Sequence, residues 1–556
     1  MYQIEGESAF SGRVTELIEI YRDPNASAAW LLCDQHEAGA IAYHIVHEDL
    51  SATELTYGML REESERFAAA LRSLGVEPGD RVATLMGKGH EYLVTLLGIW
   101  RLGAVHVPLF TAFAPSAVEM RLRRSGAKVV VCDGAQQPKL PVTDSHTRHA
   151  RPIAITTAGE PGEAFSFHML MANHEAGLAA AALGGNAPVI QIYTSGTTGE
   201  PKAVVQPLRA WATSHVYGEF ALGLTHDDLY WNAADPGWAY GLFYGIVSAL
   251  ITGTPGLLLT GGFSPEKTIE VLSRFGVTNF TAAPTVYRSL CASGIKVPGD
   301  LKLRSASSAG EPLTPEVNLW ATSSLGMPIH DHYGQTETGM LINNHHHPLL
   351  KMPIRQGSMG RVMPGWSAVI LSEHNDDLTE PNQVGRVAMD LANSPLAWFE
   401  GYLDDPAKSA EKFSGDARWY LTGDTGKVDE DGYFYFSSRD DDVIIMAGYR
   451  IGPSEVEAVI STHPDVVECA IIAVPDAVRG EVVEAFVVLR ESTPPSELLV
   501  RELQQWVKSR YAAHAYPRSV HFIDALPRTP SGKVQRFVLR QRREAEVASL
   551  SIKAAK

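Results

Sequence analysis

Short apolar runs alternate with segments of helical periodicity along most of the first 360 residues, and this rhythm restricts the fold more than any other feature of the chain. Leu55–Leu74 carries apolar residues at helical spacing and stops at Gly75, a residue suited to the left-handed end of a helix. The turn VEPGD follows; RVATLM (Arg81–Met86) then reads as a buried strand and the region through Leu96–Leu102 as the next helix. Lys128–Cys132, Val189–Tyr193 and Leu257–Thr260 repeat the strand signal. A strand covered on both faces is apolar throughout, so the pattern predicts parallel sheets flanked by helices. From about Arg361 glycine and proline become frequent, and short strands such as Ser367–Leu371 and Gly385–Leu391 predict a small, mostly antiparallel or β-barrel-like part. Beyond the polar run SSRDDD, which ends at Asp442, the chain reads as a compact α+β unit. Its elements are a strand at Val443–Met446, a helix at Ser454–Thr462, strands at Val467–Val474 and Val483–Leu489, and a helix at Glu497–Ala513. The expected organisation is an α/β domain over 1–440, built of parallel-sheet subdomains with the barrel-like part, and a small α+β domain over 441–556.

Composition narrows the function classes. With 45% hydrophobic and 20% charged residues among 556, wholesale disorder is excluded. The balance of 47 Lys+Arg against 64 Asp+Glu gives a net charge of −17, which argues against general binding of nucleic acid or of anionic membranes. An anionic small molecule remains compatible wherever cations and backbone amides gather at one place. The apolar stretch Tyr92–Phe110 is broken by Arg101 and His106, and Ile246–Leu259 is punctuated by Gly and Pro. Neither supplies the ~18–20 uninterrupted apolar residues of a membrane span. The polar, acidic start MYQIEGESAF resembles no signal or transit peptide, so a cytoplasmic setting is expected. Cys33, Cys132, Cys291 and Cys469 form no CxxC pair, which argues against a disulfide framework or a structural zinc site. Homo-oligomerisation is compatible with all of this.

The most informative segment is Tyr193–Pro207, YTSGTTGEPKAVVQP, which follows an apolar strand. Thr194, Ser195, Gly196, Thr197, Thr198 and Gly199 stand in unbroken sequence ahead of Lys202. Glycine permits close backbone approach, hydroxyls add donors, and the lysine adds a point charge, which together make a cradle for a polyphosphate. The spacing is not that of a P-loop. Such composition alone equally suits a plain turn between strands; the string itself resembles the signature of the adenylate-forming (AMP-binding) superfamily, which includes acyl-CoA synthetases, luciferases and peptide-synthetase adenylation domains. Ala203 stands where that pattern has glycine.

Further segments follow in the family's order. Gly310-Glu311-Pro312-Leu313 resembles the adenine-contacting turn, and Asp331-His332-Tyr333-Gly334-Gln335-Thr336-Glu337 resembles the YGxTE segment. The resemblance implies that the aromatic residue stacks on adenine, Thr336 contacts the α-phosphate and Glu337 helps hold Mg²⁺. It gives Asp424, in YLTGD, the ribose hydroxyls, and gives Arg439 and Arg450 the nucleotide. Asp441 falls where the family has its hinge, and Gly448-Tyr449 on the loop that serves coenzyme A. Lys533, in LPRTPSGKVQR, falls on the catalytic lysine of a mobile C-terminal domain.

The implied chemistry uses ATP, Mg²⁺ and coenzyme A to turn a carboxylic acid into acyl-AMP and then into a thioester, with Lys533, Thr336, Glu337 and Lys202 neutralising charge. By the same resemblance the acyl pocket involves Ala239, Tyr240, Ala309 and Gly334. Acetyl-CoA synthetases carry tryptophan at the position of Gly334, so an acid larger than acetate is expected, with acetate, or a carrier protein in place of coenzyme A, as alternatives. His345-His346-His347 cannot converge on one ion from a regular element and is expected to form a solvated loop. Trp231 and Trp238 are expected in the core or in a pocket wall.

Overall fold

Thr56 sets the first boundary that the apolar pattern leaves open. Its side chain accepts from the Met59 amide at 3.2 Å and caps the helix Tyr57–Ser73. Leu55 therefore belongs to the strand Ala52–Thr56 instead of starting the helix. At the other end Gly75 takes φ +82°, in agreement with the terminator read from the sequence. The computed structural model describes residues 7–141, 152–159, 162, 164–194, 201–311, 313–439, 442, 444–446, 449–476, 480–512, 515–529 and 533–554.

A first sheet runs in the spatial order Phe165–Ser166, Ile153–Thr156, Val129–Cys132, Arg81–Leu85, Val105–Pro108, Pro188–Thr194 and Lys202–Pro207. Its pairs are parallel except the last, in which Thr194 stands opposite Lys202. The apolar stretch after Tyr92 is a core helix, His90–Leu102, buried from Tyr92 to its end. Arg101 is tolerated there because Asp34 accepts from both Nη atoms, at 2.5 and 2.9 Å, and Ser64 from Nε at 3.1 Å.

The second sheet has thirteen strands, and its central part is parallel: Ile41–Val46, Gly256–Leu259, Tyr230–Asn232, Asn279–Ala282, Ser305–Ala309 and His330–Gln335. Gly339–Asn343 turns back antiparallel, and the strands Ser358–Val362, Phe434–Arg439, Trp419–Val428, Gly385–Asp390 and Ala368–Leu371 extend the same sheet. Trp231 packs on Phe280 in its core. The last part of the chain has its own sheet and its own hydrophobic cluster, drawn only from residues between Ile444 and Leu539. Strands Val466–Asp476 and Gly480–Leu489 form its centre, with helices Pro453–Ile460, Glu497–Arg510 and Arg536–Ala554.

The histidine run departs from expectation. His345 and His346 are only 4% and 8% exposed, not solvated. The run continues inward from Gly339–Asn343, where the His346 and His347 amides donate to the carbonyls of Ala221 and Phe220. His346 stacks on His330 with ring centroids 3.6 Å apart. Burial holds His330 and His345 neutral, at about 4, and His332 and His346 well below the usual range. His330, His332 and His346 come close enough together for a shared ion. However, His332 spends both nitrogens within the protein: Nε2 donates to the Asn344 carbonyl at 3.0 Å, and Nδ1 accepts from the Tyr217 hydroxyl at 2.7 Å.

Candidate active site

Parallel strands deliver their functional residues where they end, because the chain there is released from the ladder into loops. Ser305–Ala309 leads into Gly310-Glu311, and His330–Gln335 leads into Thr336-Glu337. Both open on a cavity of about 1120 Å³ whose far wall is supplied by the C-terminal unit, with Lys533 among its residues. Gly310 takes φ +100°, and a Cβ there would lie 3.0 Å from the Trp238 ring, so glycine admits the indole to the wall.

One carboxylate organises one side of the cavity. The Tyr333 hydroxyl donates to Asp424 at 2.5 Å and the Gln335 amide donates to the same oxygen at 2.8 Å. Gln335 is fixed in turn by the Tyr420 hydroxyl at 2.9 Å and the Thr422 carbonyl at 2.9 Å. Arg439 faces Asp424 across the pair of strands, its Nε 3.6 Å from the other carboxylate oxygen. Asp331 has one carboxylate oxygen, Oδ1, buried without a partner, and burial pushes its carboxyl up to about 8. An acceptor or donor of that kind suits a purine edge.

The charged side is built around Glu337. The Tyr402 hydroxyl donates to its Oε1 at 2.7 Å, and Lys202 stands 4.9 Å above the Tyr402 ring. Lys412 donates to the Thr422 carbonyl at 2.9 Å, and its pKa is lowered by desolvation against the pull of Glu337 and Asp424. The Lys533 ammonium lies 5.9 Å from the Trp238 ring centroid; burial first, and Arg439 second, lower its pKa against Asp424, Glu311 and Glu337. Thr529 holds the lysine's backbone from both sides, accepting from the Lys533 amide at 3.0 Å and donating its own amide to the Lys533 carbonyl at 2.7 Å. Glu311 is held by Arg288, by Thr285 at 3.0 Å and by Arg528 at 3.7 Å.

Trp238, His332 and Gly334 line another part of the cavity, while Ala239, Tyr240 and Ala309 are buried and lie outside its lining. The Tyr240 hydroxyl meets that of Tyr217 at 3.2 Å. Space beside Gly334 is not open: a Cβ there would meet the Gly339 carbonyl at 2.3 Å and Met340 Sδ at 2.8 Å.

Lys533, Glu337, Thr336, Asp331, His332, Tyr333, Gly334, Gln335, Asp424, Arg439, Gly310, Glu311, Thr194 and Lys202 thus share one cavity. Tyr449 and Arg450 lie in the strand Tyr449–Ile451. Ser195, Gly196, Thr197, Thr198, Gly199, Pro312, Asp441 and Gly448 lie outside the described residues. Sequence reasoning missed Tyr402, Lys412 and Arg528 as neighbours of the site and left Trp238 between core and wall. Arg528 stands in the string that carries Lys533, which could have pointed to it; Tyr402, Lys412 and Trp238 are brought there by the pairing of distant segments. Cys291 and Cys469 also reach the cavity wall, but burial pushes both thiols up, away from the thiolate form.

Two family models match the chain, "AMP-binding enzyme" over residues 33–403 and "AMP-binding enzyme C-terminal domain" over 455–533. Acetyl-coenzyme A synthetase of Bacillus subtilis is 37% identical over 492 residues, which cover 87% of this chain and 84% of that protein. The crystal structure of an acyl-CoA synthetase from Brucella canis is 40% identical, covers 98% of this chain and 99% of its own, and superposes with a TM-score of 0.75. MatB from Rhodopseudomonas palustris, 27% identical with 94% and 99% coverage, superposes with a TM-score of 0.82 in its ATP-bound crystal structure and 0.72 in its apo form.

Proposed function

This chain belongs to the AMP-binding enzymes, and from that premise we propose that its cavity activates a carboxylic acid larger than acetate. The protein is an acyl-CoA synthetase, an AMP-forming ligase that uses ATP, Mg²⁺ and coenzyme A to make a carbon–sulfur bond. In the first step a carboxylate oxygen attacks the α-phosphorus of ATP, and the bond to the β-phosphate oxygen breaks. Acyl-AMP and pyrophosphate result. In the second step the coenzyme A sulfur attacks the acyl carbonyl carbon, gives up its proton, and AMP leaves.

Two anions meet in the first step, so charge must be neutralised before reaction. We assign that task to Lys533, Lys202 and Thr336, all on the cavity wall. Asp424 takes the ribose hydroxyls and Tyr333, tied to it at 2.5 Å, presents its ring to the adenine. Glu337 is a buried oxygen donor with one carboxylate oxygen held by Tyr402, which fits a single protein ligand to Mg²⁺ completed by substrate phosphates. When bound, Mg²⁺ supplies charge stabilisation at the phosphates.

The observation that carries the reading is that Lys533 of the C-terminal unit stands in one cavity with Asp424, Arg439 and Glu337 of the rest of the chain. That arrangement suits the first step, and the better superposition on ATP-bound than on apo MatB supports it. We place the division between a 1–440 domain and a mobile 441–556 domain, with the hinge at Asp441, so that the second step can use another arrangement. Among the described residues no helix is long and apolar enough to cross a membrane; a cytoplasmic location is part of the proposal.

Acetate is the second reading, favoured by Met340 and the Gly339 carbonyl filling the space beside Gly334. Methionine is unbranched and can vacate such a space, which keeps the longer acid as the first reading. A screen of pyrophosphate and AMP release over straight-chain, branched and aryl acids tests both. The expected optimum lies above acetate; an acetate optimum selects the second reading, and no AMP from any acid with coenzyme A removes the function.

A further inference from the structure

Two arginines of this protein show how a cation is usually held out of water. Arg101 is 1% exposed and held by Asp34; the half-buried Arg536 is held by Glu457 and Asp442. Arg121 is different. It sits on the helix Pro115–Ser125, is 6% exposed, and pairs with no carboxylate among the described residues. Its Nη1 donates to the Ala117 carbonyl at 2.9 Å, while its Nε is buried without a partner. The guanidinium lies 4.0 Å from the Phe113 ring centroid and 6.0 Å from that of Tyr193. Desolvation lowers its pKa, with Tyr193 and Arg124 as the titratable neighbours that act on it. A cation taken out of water without an anion is costly, and the cost is relieved when an anion arrives.

The position indicates which anion. Arg121 lines the cavity together with Tyr193, Thr194 and Lys202, the described flanks of the donor-rich segment. One helical turn further, Arg124 donates to the Pro201 carbonyl at 3.2 Å, which ties this helix to that segment. We propose that Arg121 is an anion-binding residue of the site, taking a phosphoryl group of a substrate; the inference rests on the adenylate-forming reading above. Proximity to Thr194 and Lys202 favours the departing pyrophosphate over the phosphates of coenzyme A. The guanidinium lies against Phe113 with its Nε unpartnered, which leaves a donor for a phosphoryl oxygen.

The test compares wild type, Arg121→Met, Arg121→Lys and Phe113→Leu in acid-dependent ATP–pyrophosphate exchange and in thioester formation. Arg121→Met is expected to raise KM for pyrophosphate by about 10- to 100-fold, the range for a charge-assisted hydrogen bond. KM for the acid stays unchanged, and Arg121→Lys recovers much of the loss. A rise in KM for coenzyme A alone keeps the phosphoryl site and assigns it to that substrate. If both constants stay within about twofold while Arg121→Met and Phe113→Leu lower Tm alike, Arg121 is a packing residue and the proposal fails. Absence of exchange in the wild type overturns the parent reading, and this one with it.

Discussion

Lys533 is a cation that burial, assisted by Arg439, makes easier to deprotonate than a free lysine. The first step needs its charged form. Pyrophosphate exchange should therefore decline as pH rises through this lowered pKa, below the ordinary lysine range. The guanidinium of a Lys533→Arg variant would keep its charge to higher pH, so the alkaline limb of the pH–rate profile should move up even though the maximal rate falls. Lys533→Ala should lower exchange by about 10²–10³-fold, the usual cost of losing one electrostatic stabiliser. Asp331 carries the opposite sign. Its carboxyl is raised to about 8 in the folded protein, against roughly 3.9 unfolded. Its contribution to stability is full at low pH and is lost as pH rises toward 8. In the ligand-free enzyme, Asp331→Asn should gain stability relative to wild type between pH 5 and pH 8, measured by denaturation midpoints. The identity of both residues was legible in their strings; their pKa values were not, because desolvation depends on chain segments hundreds of residues away.

The hairpin of His330–Gln335 and Gly339–Asn343 carries the YGxTE segment to the cavity. Its pairing is irregular between Tyr333 and Gly334, and the missing Cβ of Gly334 lets the Gly339 carbonyl approach. Gly334→Ala should cost about 1–3 kcal/mol, the range for overpacking, read as a lowered Tm. Gly334→Trp should fail to give a stable acetate-specific enzyme, since backbone and not a movable side chain opposes even its first carbon. Met340→Ala, by contrast, should shift the optimum toward longer acids. Each extra methylene accommodated is worth about 0.8 kcal/mol, or roughly fourfold in kcat/KM. The first strand of this hairpin, HDHYGQ, carries no apolar run that would mark it in the sequence. The fate of the His345–His347 run was not legible either: residue type argued for solvent, and only the carbonyls of Ala221 and Phe220 show where its backbone hydrogen bonds go.

At the scale of the molecule, the site is shared between the sheets of the first part and a separately cored C-terminal unit. Arg528 bridges Glu468 of that unit to Glu311, and Arg490 meets Glu316 at 3.2 Å. These contacts favour the arrangement that brings Lys533 to the nucleotide. Arg528→Met should slow acyl-AMP formation by about 3- to 10-fold, the effect of roughly 1 kcal/mol, while thioester formation from supplied acyl-AMP is not slowed. Equal loss in both half-reactions would show that Arg528 stabilises the unit without favouring one arrangement. The sequence by itself determined the parallel α/β character and the strings that mark the family, because strand burial, helix periodicity and loop chemistry are written in neighbouring residues. Tertiary structure alone decided that Tyr333, Gln335 and Arg439 converge on Asp424, that the Met340 sulfur packs against Gly334, and that Arg121 reaches the cavity with no carboxylate partner among the described residues. Such convergence depends on sheet register and on the packing of distant segments, which set distance and desolvation and leave no mark in local sequence.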